Sequence, residues 1–191
     1  LLLCAVVFFC AIFTSVSPIK DMALAISDGD GSETNPYIMT SVADWKSVID
    51  RASSETNPTY VQLGADITAS GSFAINGAGD SISNGALNVP AGKYINLDLK
   101  NFKVNRGLKS GVAYGHVFVV YGNLTIDGET YKVASDGKHT AGVVNNGGGI
   151  TGGYTSAGEG GGGFYVPVGG TLIMNGGSIY NCYSSVNADA V

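Results

Sequence analysis

The sequence predicts an all-β protein, a solenoid of stacked β-coils with a short helix covering its first coil. Apolar side chains alternate along two short runs, residues 164–168 and 172–174, and this is the period of a half-buried strand. Glycine pairs separate the runs, where the chain has to turn without a steric clash at Cβ. An internal repeat is the third observation.

The repeat joins two strand-like segments. Leu124 and Leu172 stand at equivalent positions in them, each with a glycine shortly before it and another shortly after it. Leu97 begins a similar run ahead of Leu124, and Ile150 lies about midway between Leu124 and Leu172. Because Ile150 divides the offset between Leu124 and Leu172 into two parts of similar length, we interpret this offset as two coils. Each part falls within the periods of roughly 20–50 residues that are typical of solenoids. A single coil cannot bury its apolar face, whereas stacked coils form a continuous core.

Residues 1–25 have the pattern of a partial secretory signal peptide. Residues 1–19 carry no charge, and Ala23 and Ala25 form a small-residue cleavage pattern. The usual basic start is missing, as expected if the sequence begins within the leader. Cleavage after Ala25 leaves Ile26 at the new N-terminus. A membrane anchor is the alternative, since a span needs roughly 20 apolar residues, but polar residues and Pro18 weaken its last third.

Residues 26–58 are predicted to be a polar segment followed by a capping helix. Residues 26–36 are rich in Asp, Gly, Ser and Asn, which are typical of turns. A calcium loop starting at Asp28 is disfavoured, because Glu33 stands where the sixth-position glycine is required. This part is therefore interpreted as a solvated linker.

The helix is predicted from about Val42 to Ala52. Ser41 and Asp44 resemble a capping box at its start. One helical face carries the apolar side chains Val42, Trp45, Val48 and Ile49. Because this face cannot be buried within the helix itself, we expect it to cover the first coil, with Trp45 as a packing residue.

Residues 59–191 are predicted to form the β-coils, cut short at the C-terminus. Residues 60–63 and 66–68 are predicted to be strands. The alternation is strongest in residues 94–104, where Ile95, Leu97 and Leu99 share one face and Asn101 allows a turn. Residues 70–88 are predicted to be irregular, with four inward apolar contacts: Phe73, Ile75, Ile82 and Leu87.

Composition narrows the function classes. The formal net charge is −5, and an acidic chain without a basic tract is a poor nucleic-acid binder. Cys182 is the only cysteine after residue 25, which leaves no partner for an intramolecular disulfide. Its predicted role is that of a small core residue. His116 and His139 lack metal-ligand spacing, so no metal or cofactor is predicted.

Several segments resemble bacterial surface proteins with right-handed parallel β-helix domains. The resemblance extends over about residues 28–183 and rests on residues 30–38, 89–99, 123–128, 149–153, 161–166 and 174–181. It implies a right-handed parallel β-helix in a secreted or wall-attached bacterial protein, with adhesion as the usual role. It does not imply an activity, because a fold does not determine function.

The same fold also hosts enzymes that cleave acidic polysaccharides, but their signatures are missing here. Hydrolysis requires paired carboxylates at one site, and galacturonan hydrolases of this fold carry Asn-Thr-Asp, Asp-Asp, Gly-His-Gly and Arg-Ile-Lys signatures. None is present, and Gly115 and His116 are followed by Val117. No catalytic residue is predicted, although active-site coils beyond residue 191 stay an alternative.

A cluster of basic residues is the candidate binding feature. Possible glycan contacts are Lys100, Lys103 and Arg106, within a group that also holds Lys93 and Lys109. The alternative is a solvated strand edge, where lysines block unwanted pairing. Tyrosines such as Tyr94 and Tyr165 are possible sugar-stacking platforms, but half-buried strand tyrosines have the commoner role of packing.

These observations support three functional hypotheses. The first is an exported, secreted or cell-surface protein with an adhesin-like or scaffolding role, whose partners are host or environmental glycans or cell-wall components. The second is a polysaccharide lyase or glycoside hydrolase, and the third is a glycan-binding module. None involves nucleic acid, and no membrane contact is expected for the part that follows the leader.

Overall fold

The computed structural model of the chain describes residues 26, 28–54, 56–68, 86–128, 148–157 and 161–185. The predicted leader lies outside these ranges, as do the predicted inward contacts Phe73, Ile75 and Ile82. The described residues form one helix and fifteen strands. In chain order these are β1 (Tyr37–Met39), α1 (Val42–Arg51), β2 (Thr59–Leu63), β3 (Ile67–Thr68), β4 (Leu87–Val89), β5 (Tyr94–Asp98), β6 (Lys103–Asn105), β7 (Val112–Ala113), β8 (Phe118–Val120), β9 (Asn123–Asp127), β10 (Gly149–Thr151), β11 (Tyr154–Ala157), β12 (Phe164–Tyr165), β13 (Thr171–Met174), β14 (Ser178–Tyr180) and β15 (Tyr183–Ser184).

The strands form four sheets, and every pairing between the described strands is parallel. The sheets have the orders β1-β2-β5-β9-β13, β3-β6-β10-β14, β7-β11-β15 and β4-β8-β12. The prediction of a β-rich chain with one short helix is confirmed. Since each pairing joins strands that are distant in sequence, long connections separate all partners.

The chain supplies strands to the sheets in a fixed order. The four strands β5, β6, β7 and β8 enter the first, second, third and fourth sheet in turn, and β9 to β12 repeat this order. The last three strands, β13, β14 and β15, again enter the first, second and third sheet. Successive rounds therefore add one strand to the same edge of each sheet.

The internal repeat is the register between two neighbouring strands. Leu124 in β9 pairs with Leu172 in β13, so the repeat correctly aligns the two segments. Its interpretation as two coils is wrong for the described strands, because β10, β11 and β12, the described strands between these residues, enter the second, third and fourth sheets once each. Residues 128–148, which separate β9 from β10, account for much of the long offset.

Two other sequence alignments are corrected. Leu97 was aligned with Leu124, but it pairs with Ile126, and Ile95 is the partner of Leu124. Ile150 lies in a different sheet, where it pairs with Val104. A strand that slides by two residues along its partner keeps the same side chains facing inward. Apolar alternation therefore cannot distinguish between registers that differ by two residues.

The inward side chains form the core. Ile95, Leu97 and Leu99 are each fully buried, as the alternation predicts. Leu87 pairs with Phe118, and the Phe118 ring stacks on Phe164 with centroids 5.4 Å apart. Leu87 is thus an inward contact as predicted, but it begins strand β4, which corrects the prediction of irregular structure up to residue 88.

Helix α1 covers the core at the β1 end. It begins as predicted, with the amide groups of Thr40 and Ser41 donating to the Asp44 carboxylate at 2.8 and 2.9 Å. The Trp45 side chain is fully buried. Its Nε1 donates to the Asn88 carbonyl at 2.9 Å, and its ring meets Phe118 edge-on at 5.6 Å. Trp45 is therefore a packing residue, as predicted.

The opposite end of the sheets exposes apolar side chains. Val166 is 38% exposed and Val168 106% exposed, so the predicted alternation of residues 164–168 ends with β12 at Tyr165. A turn replaces it, in which the Gly170 amide donates to the Pro167 carbonyl at 2.9 Å. Ile173, on the outer face of β13, is 45% exposed.

Candidate functional site

The two predicted lysines flank the tight turn between β5 and β6. The Lys100 Nζ lies 2.7 Å from the Asp98 Oδ2, and the Lys100 amide donates to Asp98 Oδ1 at 2.8 Å. Lys100, not the predicted Asn101, takes the left-handed backbone conformation here, with φ of 50°. Lys103 begins β6 and its amide donates to Asp66 Oδ1 at 3.0 Å. Acidic neighbours therefore accompany both lysines.

Arg106 does not belong to this surface. Its side chain is only 1% exposed, and the guanidinium Nη1 donates to the carbonyl groups of His116 and, at 3.2 Å, Tyr114. Burial lowers its pKa to about 10, which leaves it cationic at neutral pH. The prediction of Arg106 as a surface glycan contact is thus corrected, because the side chain points inward and binds backbone carbonyls.

His116 lies beside Arg106 and is fully buried. Its Nδ1 is 2.6 Å from the Gly161 carbonyl oxygen, so this nitrogen carries the ring proton. The ring stacks on Tyr165 with centroids 5.3 Å apart. Burial lowers the pKa of His116, and the neighbouring Arg106 lowers it further, whereas the Gly161 carbonyl opposes the change. His116 is neutral in this environment.

The Arg106 side chain holds the nearby segment of Tyr114 and His116, and His116 links that segment to Gly161, which is distant in sequence. Hydrogen bonds to a charged group contribute about 1.5–3 kcal/mol each, and they offset the desolvation of the guanidinium. With these side chains enclosed, their chemistry serves the fold. Sequence reasoning missed this role. Arg106 lies two residues after the inward Val104, so continuing the strand alternation by one step would have placed its side chain on the inward side.

A second candidate surface is the outer face of the five-stranded sheet. Its side chains alternate along the strands with the inward Ile95, Leu97, Leu124 and Ile126, so they point away from the core. Thr125 is the most enclosed of them in β5 and β9, at 5% exposure. In register they form three rows across the strands, which we call the three-row face. The rows are Tyr60, Asn96, Thr125 and Ile173; Tyr94, Asn123 and Thr171; and Gln62, Asp98 and Asp127.

Two tyrosines lie on the three-row face. Tyr94 is half-buried, and its hydroxyl lies 3.5 Å from the Thr125 Oγ1 on the next strand. Tyr60 is half-buried on β2. Sequence reasoning named Tyr94 but missed Tyr60, although its alternation with the inward Val61 was visible. Tyr165, another of the tyrosines considered as sugar platforms, stacks on His116 instead.

The three-row face is acidic. Partial burial raises the pKa of Tyr60, and Glu33, Tyr94 and Asp127 raise it further. Asp98 forms an ion pair with Lys100, whereas Asp127 Oδ1 accepts a hydrogen bond from Asn175 Nδ2 at 3.0 Å. A ligand on this face therefore meets carboxylate oxygens and a negative potential.

A small depression of about 180 Å³ opens on the three-row face. Pockets for drug-sized ligands usually measure about 300–1,000 Å³, so this depression holds one ring-sized group. Its lining is mixed, with an aromatic ring, an amide, hydroxyls and aliphatic groups. The lining residues are Tyr94, Asn123, Leu124, Thr125, Thr171 and Ile173.

Cys182 lies in the core, as predicted. It is 8% exposed, and its Sγ lies 3.9 Å from the Ile150 carbonyl oxygen. Burial raises the pKa of its thiol, which disfavours the reactive thiolate. Its role is packing between β14 and β15.

The described ranges contain no group of three or more His, Cys, Asp or Glu residues placed to hold a metal ion. Among the described residues, no helix is long and apolar enough to cross a membrane.

Comparison of the chain with protein-family models, curated proteins and solved structures found no match.

Proposed function

We propose that this chain is a right-handed parallel β-helix from an exported, cell-surface or secreted protein with an adhesin-like or scaffolding role. The main supporting observation is the fixed order in which successive rounds of the chain supply parallel strands to the same four sheets. Each round then corresponds to one coil of the helix. Crossovers between parallel strands of one sheet are right-handed in about 98% of cases, which favours the right hand.

The packing agrees with a scaffolding role. Coils stacked through parallel pairing share a continuous apolar interior, which here contains the row Leu87, Phe118 and Phe164. Helix α1 shields this interior through Trp45. The outer faces of the sheets are then available for contacts, because the interior does not depend on them. The predicted leader supports export.

Export and surface location are tested in cells that express the chain with its leader. We expect N-terminal sequencing of the recovered protein to begin at Ile26. Protease added to intact cells, or present in the medium, should reach the protein without cell lysis. Recovery of a chain that retains residues 1–25 and is degraded only after lysis would contradict the proposal.

The fold and the binding role need separate tests. The β-helix should give a circular-dichroism spectrum dominated by sheet and an elongated particle in small-angle X-ray scattering; a mostly helical spectrum would contradict it. For the adhesin-like role, cells displaying the protein should be retained on immobilised glycans or cell-wall material more strongly than cells lacking it. Equal retention would remove the support for adhesion.

The enzymatic alternative is weaker among the described residues. Asp98 and Asp127 lie next to each other on neighbouring strands, but Asp98 pairs with Lys100 and Asp127 accepts the Asn175 amide. Incubation of the exported protein with polysaccharides tests this alternative directly. Release of reducing or unsaturated sugars would place the enzymatic role ahead of the scaffold.

A further inference from the structure

The three-row face presents aromatic, amide and hydroxyl side chains on successive strands. Tyr60 and Asn96 stand in one row, where the next member, Thr125, is only 5% exposed. Tyr94, Asn123 and Thr171 stand in the adjacent row. Neighbouring strands lie about 4.8 Å apart, which is close to the advance of one sugar ring along an extended β-1,4-linked chain. A polymer laid across the strands would therefore meet an aromatic, amide or hydroxyl group at each strand.

The tyrosines give this face both parts of a sugar-binding surface. A tyrosine ring offers an apolar surface to the C–H face of a pyranose, and its hydroxyl forms hydrogen bonds. Tyr94 reaches across to Thr125, so its ring spans the gap between β5 and β9. The depression of about 180 Å³ beside Tyr94 has room for one substituent or ring edge, while the rest of a polymer would lie along the open face.

The charge of the face selects among glycans. The negative charge comes mainly from Asp127 and Glu33, which both act electrostatically on Tyr60. Asp98 lies beside Asp127 in one row, but Lys100 balances its charge. A uronic acid polymer would bring like charges together, which is destabilising. The hydroxyl groups of a neutral sugar can instead donate hydrogen bonds to these carboxylate oxygens.

From these observations, we propose that the three-row face binds a neutral β-linked polysaccharide that runs across the strands. The inference rests on the proposed surface role and deepens it, because it specifies the binding face and the class of partner. It also moves the expected glycan contact away from Lys100, Lys103 and Arg106. Lys100 is paired with Asp98, and Arg106 is enclosed.

Isothermal titration calorimetry with the exported protein tests the proposal. The probes are hexasaccharides of β-1,4-linked glucose, xylose, mannose and N-acetylglucosamine, with oligogalacturonate as the acidic comparison. We expect saturable binding of at least one neutral probe and at least about tenfold weaker binding of oligogalacturonate. Tyr60→Ala and Tyr94→Ala should each weaken binding about tenfold, equivalent to about 1.4 kcal/mol.

Tyr183→Ala is the matched control. Tyr183 is 54% exposed but lies on β15 in another sheet, so its loss should change affinity less than about twofold. Thermal unfolding of each variant shows whether it is folded. Asn96→Ala provides a further test with a smaller side-chain deletion, and it should also weaken binding.

Three results would overturn the proposal. The first is that the unmodified protein binds none of the neutral probes. The second is that Tyr183→Ala weakens binding as much as Tyr60→Ala does. The third is that oligogalacturonate binds most tightly and loses affinity in Lys100→Glu and Lys103→Glu. Absence of binding by a protein that is shown to be exported would refute this inference and leave the surface location intact.

Discussion

The two ends of the described sheets differ in how they treat apolar side chains. At the β1 end, helix α1 lies over the core and Trp45 is fully buried. At the β13 end, Ile173 is 45% exposed and Tyr183 is 54% exposed. Leu172 and Met174 point inward in β13 but are only half-buried, whereas their in-register partners Leu124 and Ile126 are enclosed.

This difference between β9 and β13 shows that the burial of an inward side chain depends on the strands beside it. The apolar alternation within its own strand is not sufficient. The inward residues of β9 have a partner strand on each side, β5 and β13. The inward residues of β13 have β9 on one side, and no described strand lies on their other side. The same alternating pattern therefore yields a buried strand in one place and a half-buried one in another.

Truncation of Trp45 in helix α1 should have the largest effect on stability. Trp45→Ala leaves a large cavity next to Phe118 and removes the hydrogen bond to the Asn88 carbonyl. We expect a loss of about 3–5 kcal/mol in the free energy of unfolding, measured by chemical denaturation. Trp45→Phe keeps an aromatic ring and should cost clearly less. Equal losses in both variants would show that the hydrogen bond, not the filled volume, holds the helix.

An in-register leucine pair isolates the role of the neighbouring strand. Leu124→Ala should destabilise the protein by about 2–5 kcal/mol, as is typical of enclosed leucines. Leu172→Ala makes the same change one strand away, where the side chain is half-buried, and should cost about half as much or less. Denaturant midpoints with unchanged slopes would make the two values comparable. A cost for Leu172→Ala equal to that for Leu124→Ala would contradict the comparison of the two ends.

The pH dependence of stability tests the buried environment of His116, which lies between the two ends. The folded-state pKa of His116 is lowered by burial, while the unfolded value is about 6.5. Stability should therefore be full above about pH 6.5 and fall as the pH drops toward the folded pKa, by at most about 1.4 kcal/mol per pH unit for one proton. Thermal unfolding between about pH 7 and pH 5 measures this slope.

His116→Gln should flatten the slope in that range, because the titrating group is lost. His139→Gln is the control for the other histidine of the chain and should leave the His116 contribution in place. An unchanged slope in His116→Gln would mean that other groups carry the pH dependence.

The smallest effect on stability is expected for the hydrogen bonds at the start of helix α1. Asp44→Ala removes the acceptor for the Thr40 and Ser41 amides and should cost about 1 kcal/mol in unfolding free energy. Asp50→Ala removes only the exposed ion pair with Lys46, worth about 0.3–0.5 kcal/mol for such helix pairs. Equal losses in the two variants, measured by denaturation, would count against a capping role for Asp44.

The sequence predicted the helical cover well because its signals are local. Ser41, Asp44 and Trp45 lie close together in the chain, and the period of the helix face is visible over a few turns. Strand-level alternation was similarly informative for Ile95, Leu97 and Leu99. These features depend on the covalent order of neighbouring residues, which is what a sequence states directly.

Other features depend on contacts between segments and could not be predicted in the same way. The internal repeat aligned Leu124 with Leu172 correctly, but the number of coils between them depends on how the chain turns. Arg106 resembled its neighbours Lys100 and Lys103 in charge, and its contacts with the carbonyl groups of Tyr114 and His116 become visible only in the folded chain. The three-row face likewise exists only after β2, β5, β9 and β13 are in register.

In the five-stranded sheet, the connections between strands vary in length while the strands keep a continuous register. In the five-stranded sheet, the stretch from Val61 to its partner Leu97 is longer than the stretch from Tyr37 to its partner Val61. The stretch from Leu124 to its partner Leu172 is longer again. Additional residues are thus absorbed between strands without displacing the inward rows. In evolutionary terms, such a chain can diversify by lengthening its connections while its strands stay under constant selection. For engineering, the same connections are the natural places to graft new peptides.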